Sequence, residues 1–175
     1  MTSSPPRRLF FALWPDAGLR SDLVERGDMV DAPSARRVPA ANLHLTLLFL
    51  GDVAADRVES LDDIGGTVAA ARRHRPFTLV LDRFGVFDRA RVAWLGGPAV
   101  EAGRLLVEDL ADGASGCGLD LERRAWRPHV TLFRRVGARP RPPAPAPIDW
   151  PVCDFALVES IPGRPYQVLR SWPLE

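Results

Sequence analysis

Short apolar runs and three stretches of helical period divide the chain into strands and helices in a partly repeating order. Residues 8–14 (RLFFALW) are apolar after the first position and read as a strand buried on both faces, ended by Pro15-Asp16. Asp16 can cap a helix running to about Val30, with Leu19, Leu23 and Val30 turned to a core. Residues 36–38 can form a short strand and 39–42 a turn; 43–50 is an apolar strand closed by Gly51-Asp52. Residues 54–73 place Val58, Leu61, Ile64 and Val68 three or four apart, which predicts a helix. The stretch 77–87 alternates as one strand, and 92–95 (VAWL) as another. A helix over 99–114 follows, with Leu105, Leu106, Leu110 and Ala114 on one side, then a glycine-rich break at 113–118. Residues 127–134 are a further strand, 140–147 (PRPPAPAP) an extended connector, and 152–160 and 166–172 two strands predicted to pair antiparallel.

Two of these strands carry the same tripeptide pattern. His44-Leu45-Thr46 lies in NLHLTLLFLG (42–51), and His129-Val130-Thr131 in RPHVTLF (127–133). With three histidines and five threonines in 175 residues, chance places a threonine two positions after a given histidine about 3% of the time. Two hits from three histidines is roughly a one-in-several-hundred coincidence. Alternation puts His44 and Thr46 on one strand face, with Leu43, Leu45, Leu47 and Phe49 on the other; His129 and Thr131 likewise oppose Val130 and Leu132. The context repeats as well. Strand, helix and motif strand occupy 9–50 and again 92–134, and Leu13 precedes His44 by 31 residues where Leu95 precedes His129 by 34. Two similar lobes, bringing both His/Thr faces to one cleft, are the expected consequence. His74, in RRHRP (72–76), has no such threonine and is expected on the surface at a helix C-terminus, where a cation is favourable.

Composition narrows the chemistry. The length suits a single domain over 1–175, and 46% hydrophobic and 26% charged residues are ordinary for a soluble protein. The apolar run at 9–14 is too short for a signal-peptide core or a membrane span, so a cytoplasmic location is expected. Cys117 and Cys153 stand in no metal or redox spacing and are expected to be inert thiols. All 23 basic residues are arginine. Without lysine, ligation through a lysyl-nucleotide, Schiff-base chemistry and a standard phosphate-loop NTPase are excluded. A net charge of +1 argues against coating nucleic acid by bulk attraction. Arginines nevertheless flank both motifs, Arg36 and Arg37 before the first and Arg123, Arg124, Arg127, Arg134 and Arg135 around the second, which points to an anionic ligand.

Two histidines facing one cleft suit paired proton transfer, since each titrates near pH 6.5 when unperturbed. In-line displacement at phosphorus needs such a pair, a base for the attacking oxygen and an acid for the leaving one. Thr46 and Thr131 can hydrogen-bond the non-bridging oxygens, and nearby arginines add charge-assisted bonds. No cofactor and no metal is required: a metal site would want more ligands than two histidines, and the Gly-x-Ser-x-Gly elbow of a serine hydrolase is missing. Strand alternation places Arg135, rather than Arg134, on the face of His129 and Thr131 unless the strand ends or bulges there.

These residues resemble the two-histidine phosphoesterase superfamily, and within it the RNA 2',3'-cyclic phosphodiesterases, also called 2'-5' RNA ligases. The resemblance spans nearly the whole chain through RLFFALWP (8–15), LHLTLLFLG (43–51), FGVF (84–87), VAWL (92–95), RPHVTL (127–132) with Arg134, and YQVLRSWPL (166–174). It implies an α+β fold, bilobal with a pseudo-twofold axis, antiparallel sheets lining a central cleft and helices outside. It also implies metal-independent opening of a 2',3'-cyclic phosphate at an RNA end to a 2'-phosphate, with 2'-5' ligation as the reverse reaction. His44 would then donate a proton to the leaving oxygen and His129 activate water. Thr46 and Thr131 would hold the phosphate with help from Arg134, Arg135 or Arg127, and Phe11 would stack near the terminal base. The expected partner is RNA with a cyclic-phosphate end, bound by a monomer with no membrane association. Two alternatives use the same cleft: an RNA-end or nucleotide-binding module without turnover, and a phosphodiesterase for a small cyclic nucleotide or a cyclic ADP-ribose phosphate.

Overall fold

In the computed structural model, which describes residues 5–71, 73–122, 124–137, 140, 142 and 146–175, the N-terminal apolar run forms β1 (Arg7–Leu13). Asp16 caps α1 (Ala17–Asp28), its Oδ1 accepting from the Leu19 N–H at 2.8 Å. β2 (Arg36–Arg37) and a 3-10 turn (Ala40–Asn42) lead to β3 (Leu45–Val53), and a second such turn (Ala55–Arg57) leads to α2 (Val58–Ala70). Then follow β4 (Phe77–Leu81), β5 (Arg83–Phe87), β6 (Val92–Gly96), α3 (Glu101–Gly116), β7 (His129–Arg134), β8 (Ile148–Val152), β9 (Asp154–Glu159) and β10 (Gln167–Pro173). The fold is α+β, and its strands pair antiparallel.

Eight strands make one sheet in the order β10-β9-β1-β3-β7-β6-β5, with β2 also paired to β7. The two motif strands lie at its middle and meet through the single pair Leu45 and Val130. On either side the pairing repeats: Leu13 stands opposite Leu45, and Leu95 opposite Val130. In both halves the residue after the motif threonine, Leu47 or Leu132, is an extra residue in its strand, a β-bulge. The duplication inferred from spacing is thus present down to the irregularity of the ladders.

One sheet face carries the main core. α2 and α3 pack on each other, α2 against β9 and β10 and α3 against β3. They cover Leu9, Phe11, Leu13, Leu45, Val130 and Phe155, none of which has measurable exposure. The other face holds a small separate apolar group, Phe10, Ala12, Ala156 and Val158, bordered by Trp14 and Tyr166.

Several expectations are corrected. The stretch 77–87 is two strands: Asp82 breaks the run, its N–H donating to the Gly96 carbonyl at 3.0 Å, and β4 pairs with β8 in a separate two-stranded sheet. The glycines at 113 and 116 lie inside α3, because Gly113 lets the helix approach Ile64 of α2 where a β-carbon would not fit. β8 occupies residues left between connector and closing strands, and residues 141 and 143–145 of that connector lie outside the described residues, as does Arg123. Phe49 is 50% exposed, since bulges at Leu47 and Leu50 turn it to the face of Phe10. His74 is not on the surface. It is 4% exposed, because α2 ends early and folds back on α3, where its Nε2 meets Asp109 Oδ2 at 2.6 Å.

Candidate active site

Leu45 and Val130 turn into the core, so their neighbours turn to the opposite face. The antiparallel register at that pair sets His44 across from Thr131 and Thr46 across from His129. All four side chains are half-buried. Among the described residues neither threonine hydroxyl is taken by a protein group, so both remain available as donors to a ligand.

The histidines are held in matching ways. His44 Nδ1 lies 2.7 Å from the Asn42 carbonyl, and His129 Nδ1 lies 2.6 Å from the Arg127 carbonyl. A carbonyl only accepts, so each Nδ1 carries a proton. Each neutral ring therefore has its free lone pair on Nε2, while each charged ring offers an Nε2 proton. Asn42 also acts through its side chain, whose oxygen accepts from the Tyr166 N–H at 3.0 Å and joins the first motif to the start of β10.

Aromatic rings surround both imidazoles. His44 stacks with Trp14 at 5.7 Å between centroids, lies 4.9 Å from Phe10, and meets Tyr166 edge-on at 5.2 Å. His129 meets Phe87 edge-on at 5.0 Å and Trp94 at 6.0 Å. Trp94 lies over Gly85, opposite it in the β5–β6 ladder, where a β-carbon would collide with the indole. Trp126 donates its Nε1 proton to the Thr46 carbonyl at 3.1 Å.

This enclosure decides the electrostatics. Burial pushes the His44 pKa down to about 4; the Asn42 hydrogen bond opposes the shift, and the positive charges of Arg134 and protonated His129 add to it. Burial also lowers His129, against the hydrogen bond to Arg127. The protein by itself keeps both rings neutral at neutral pH.

The bulge settles the arginines. Trp94 stands opposite Thr131, but Val92 stands opposite Arg134, so the extra residue Leu132 brings Arg134 to the face of His129 and Thr131. Arg135 lies beyond the end of β7 with φ 57°, which overturns the alternation that favoured it. Arg127 contributes its carbonyl, and its side chain is exposed. Phe11 is fully buried against Phe155 and Trp172, which corrects its expected place near a base; its neighbour Phe10 is the ring beside His44. Phe10, Trp14, Asn42, Phe87, Trp94 and Tyr166 were not singled out in the sequence. Alternation along β1 already groups Phe10, Ala12 and Trp14, but nothing local says which face meets the histidine.

Residues 21–161 match the family model of the 2'-5' RNA ligase superfamily. The chain belongs to the 2'-5' RNA ligase superfamily. Among its relatives, the RNA 2',3'-cyclic phosphodiesterase of Escherichia coli strain K12 is 35% identical, covering 98% of both chains. The protein of the same description from Thermus thermophilus is 33% identical, covering 95% of this chain and 90% of its own. The crystal structure of E. coli LigT complexed with 3'-AMP superposes with a TM-score of 0.85 at 34% identity, covering 97% of this chain and 98% of that one. The fold is therefore shared over nearly the whole length of both chains. Among the described residues, no helix is long and apolar enough to cross a membrane.

Proposed function

We propose that the protein opens 2',3'-cyclic phosphates at RNA ends to 2'-phosphomonoesters, with His129 as base and His44 as acid. The supporting observation is the matched tethering of the two rings, each with Nδ1 on a carbonyl and Nε2 left for a ligand. Water attacks phosphorus as His129 Nε2 takes its proton; the bond from phosphorus to O3' breaks, and O3' takes the proton of charged His44. Thr46 and Thr131, in cross-strand register with the histidines, donate to the non-bridging oxygens, and Arg134 balances their charge. The substrate's own anion offsets the effect of burial: a negative charge against His44 raises its pKa and favours the protonated form the acid needs. The names of the relatives support the RNA-end substrate.

All these groups come from one chain, so a monomer suffices. Cys117 and Cys153 are free thiols, in keeping with a reducing cytoplasm. Among the described residues no three histidine, cysteine or carboxylate side chains are grouped to hold a metal ion. The deciding experiment is a product assay on RNA ending in a 2',3'-cyclic phosphate. The expected product is the 2'-phosphate, formed at the same rate in EDTA. A 3'-phosphate product, or loss of turnover on chelation, would overturn the mechanism.

A further inference from the structure

The ladders place a second cation beside Arg134. Arg36 of β2 stands opposite Arg134 on one side of β7, as Val92 of β6 does on the other. Directly opposed residues of an antiparallel ladder project to the same face. Val92, Trp94 and Gly96 form one alternating set, opposite Arg134, Thr131 and His129. Arg36 therefore continues the site's own face one strand outward, roughly 5 Å further along the sheet at the backbone.

The arginines at this boundary differ from others in the molecule. Arg7 pairs with Glu159, Arg37 with Asp28, Arg73 with Asp109, Arg104 with Glu101 and Arg170 with Asp62. Arg36 and Arg134 are exposed, and among the described residues neither has an acidic or carbonyl partner. Like charges directly opposed across a ladder weaken it, so the fold gains nothing from this pair. An anion between them would reverse that penalty, and Arg135, also exposed, follows at the strand end.

We infer that single-stranded RNA leaves the cleft across the β2–β7 boundary, with Arg36 holding the backbone phosphate next to the terminal one. The inference rests on the activity proposed above and adds that the protein engages more than the last nucleotide. Such contacts position a strand without reading its sequence, so the preference is for length rather than base identity.

The experiment compares kcat/KM for a 2',3'-cyclic mononucleotide with that for a short single-stranded RNA bearing the same end. Wild type, Arg36→Glu, Arg36→Gln and the equal-charge control Arg75→Glu, an exposed site between α2 and β4, are measured over a range of salt. Wild type is expected to favour the RNA. Arg36→Glu is expected to reduce the ratio of RNA to mononucleotide rates about tenfold, and Arg36→Gln to flatten the salt slope for RNA by about 1. Arg75→Glu should leave the ratio where it was. A ratio insensitive to Arg36, or equally sensitive to Arg75, overturns the path while leaving the activity intact. Wild type that opens neither substrate overturns the activity itself, and the path with it.

Discussion

Asn42 and Arg127 each commit a backbone carbonyl to a histidine two residues ahead, so the atom left for a ligand on both rings is Nε2. Replacing either His44 or His129 by alanine should lower kcat about a hundred- to ten-thousandfold, the usual worth of a positioned acid or base. Circular dichroism and a retained melting transition would separate that loss from unfolding. The pH dependence follows from enclosure. Because both pKa values lie below 6.5, and that of His44 is about 4, kcat/KM should be bell-shaped with its maximum on the acid side of pH 6.5. Arg134→Gln removes a charge that opposes protonation of His44, so the acid limb should move to higher pH even as turnover falls. An unmoved limb would show that Arg134 does not act on that ring. The histidines and threonines were legible in the sequence because a strand pattern survives translation into one face. The alternation that put Arg135 on the site's face fails because one inserted residue, Leu132, shifts the pattern, and no local signal marks it as the insertion. Phe11 falls in the core by the plain alternation of β1.

Helices and strands were mostly placed by their apolar period, and the errors fall where one element closely approaches another. Gly97, just after β6, meets the Val80 backbone of β4 so closely that a β-carbon would overlap its carbonyl. Gly97→Ala should therefore cost about 1–3 kcal/mol in a denaturant titration, as overpacking does. His74 gives the complementary case. It joins the end of α2 to Asp109 of α3, and Asp109 is held below the usual carboxylate range by Arg73 and His74 against the opposing effect of burial. His74→Ala should cost about 1–3 kcal/mol by leaving a buried acceptor short of a donor, with turnover of a cyclic phosphate at the wild-type level. A large loss of turnover would give this third histidine a role that its position, in the interface of two helices, does not suggest.

Across the whole molecule, the burial that tunes the site also loads the fold. The unfolded chain protonates His44 near pH 6.5, whereas the folded chain refuses that proton until about pH 4. Stability is therefore undiminished above 6.5 and falls as pH drops through this window, by up to about 3 kcal/mol from this one group. His44→Gln should flatten the pH dependence of unfolding free energy over the same range, and an unaltered curve would count against the shifted pKa. Amino-acid order sufficed for the repeated strand–helix–strand plan, for the two His-x-Thr motifs and for the exclusion of lysine chemistry, because period and composition are local properties that survive folding. Three things came from packing alone. The bulge after Thr131 decides that Arg134 shares the face of His129, and the β1–β3 ladder sets Phe10 on the face of His44. The convergence of Trp14, Phe10 and Tyr166 on His44, from two separate segments of the chain, sets the acidity of that ring. The single Leu45–Val130 pair joins the two halves and turns two motifs 85 residues apart into one site. Each depends on contacts between segments far apart in the chain, and a one-residue change of register is enough to alter them.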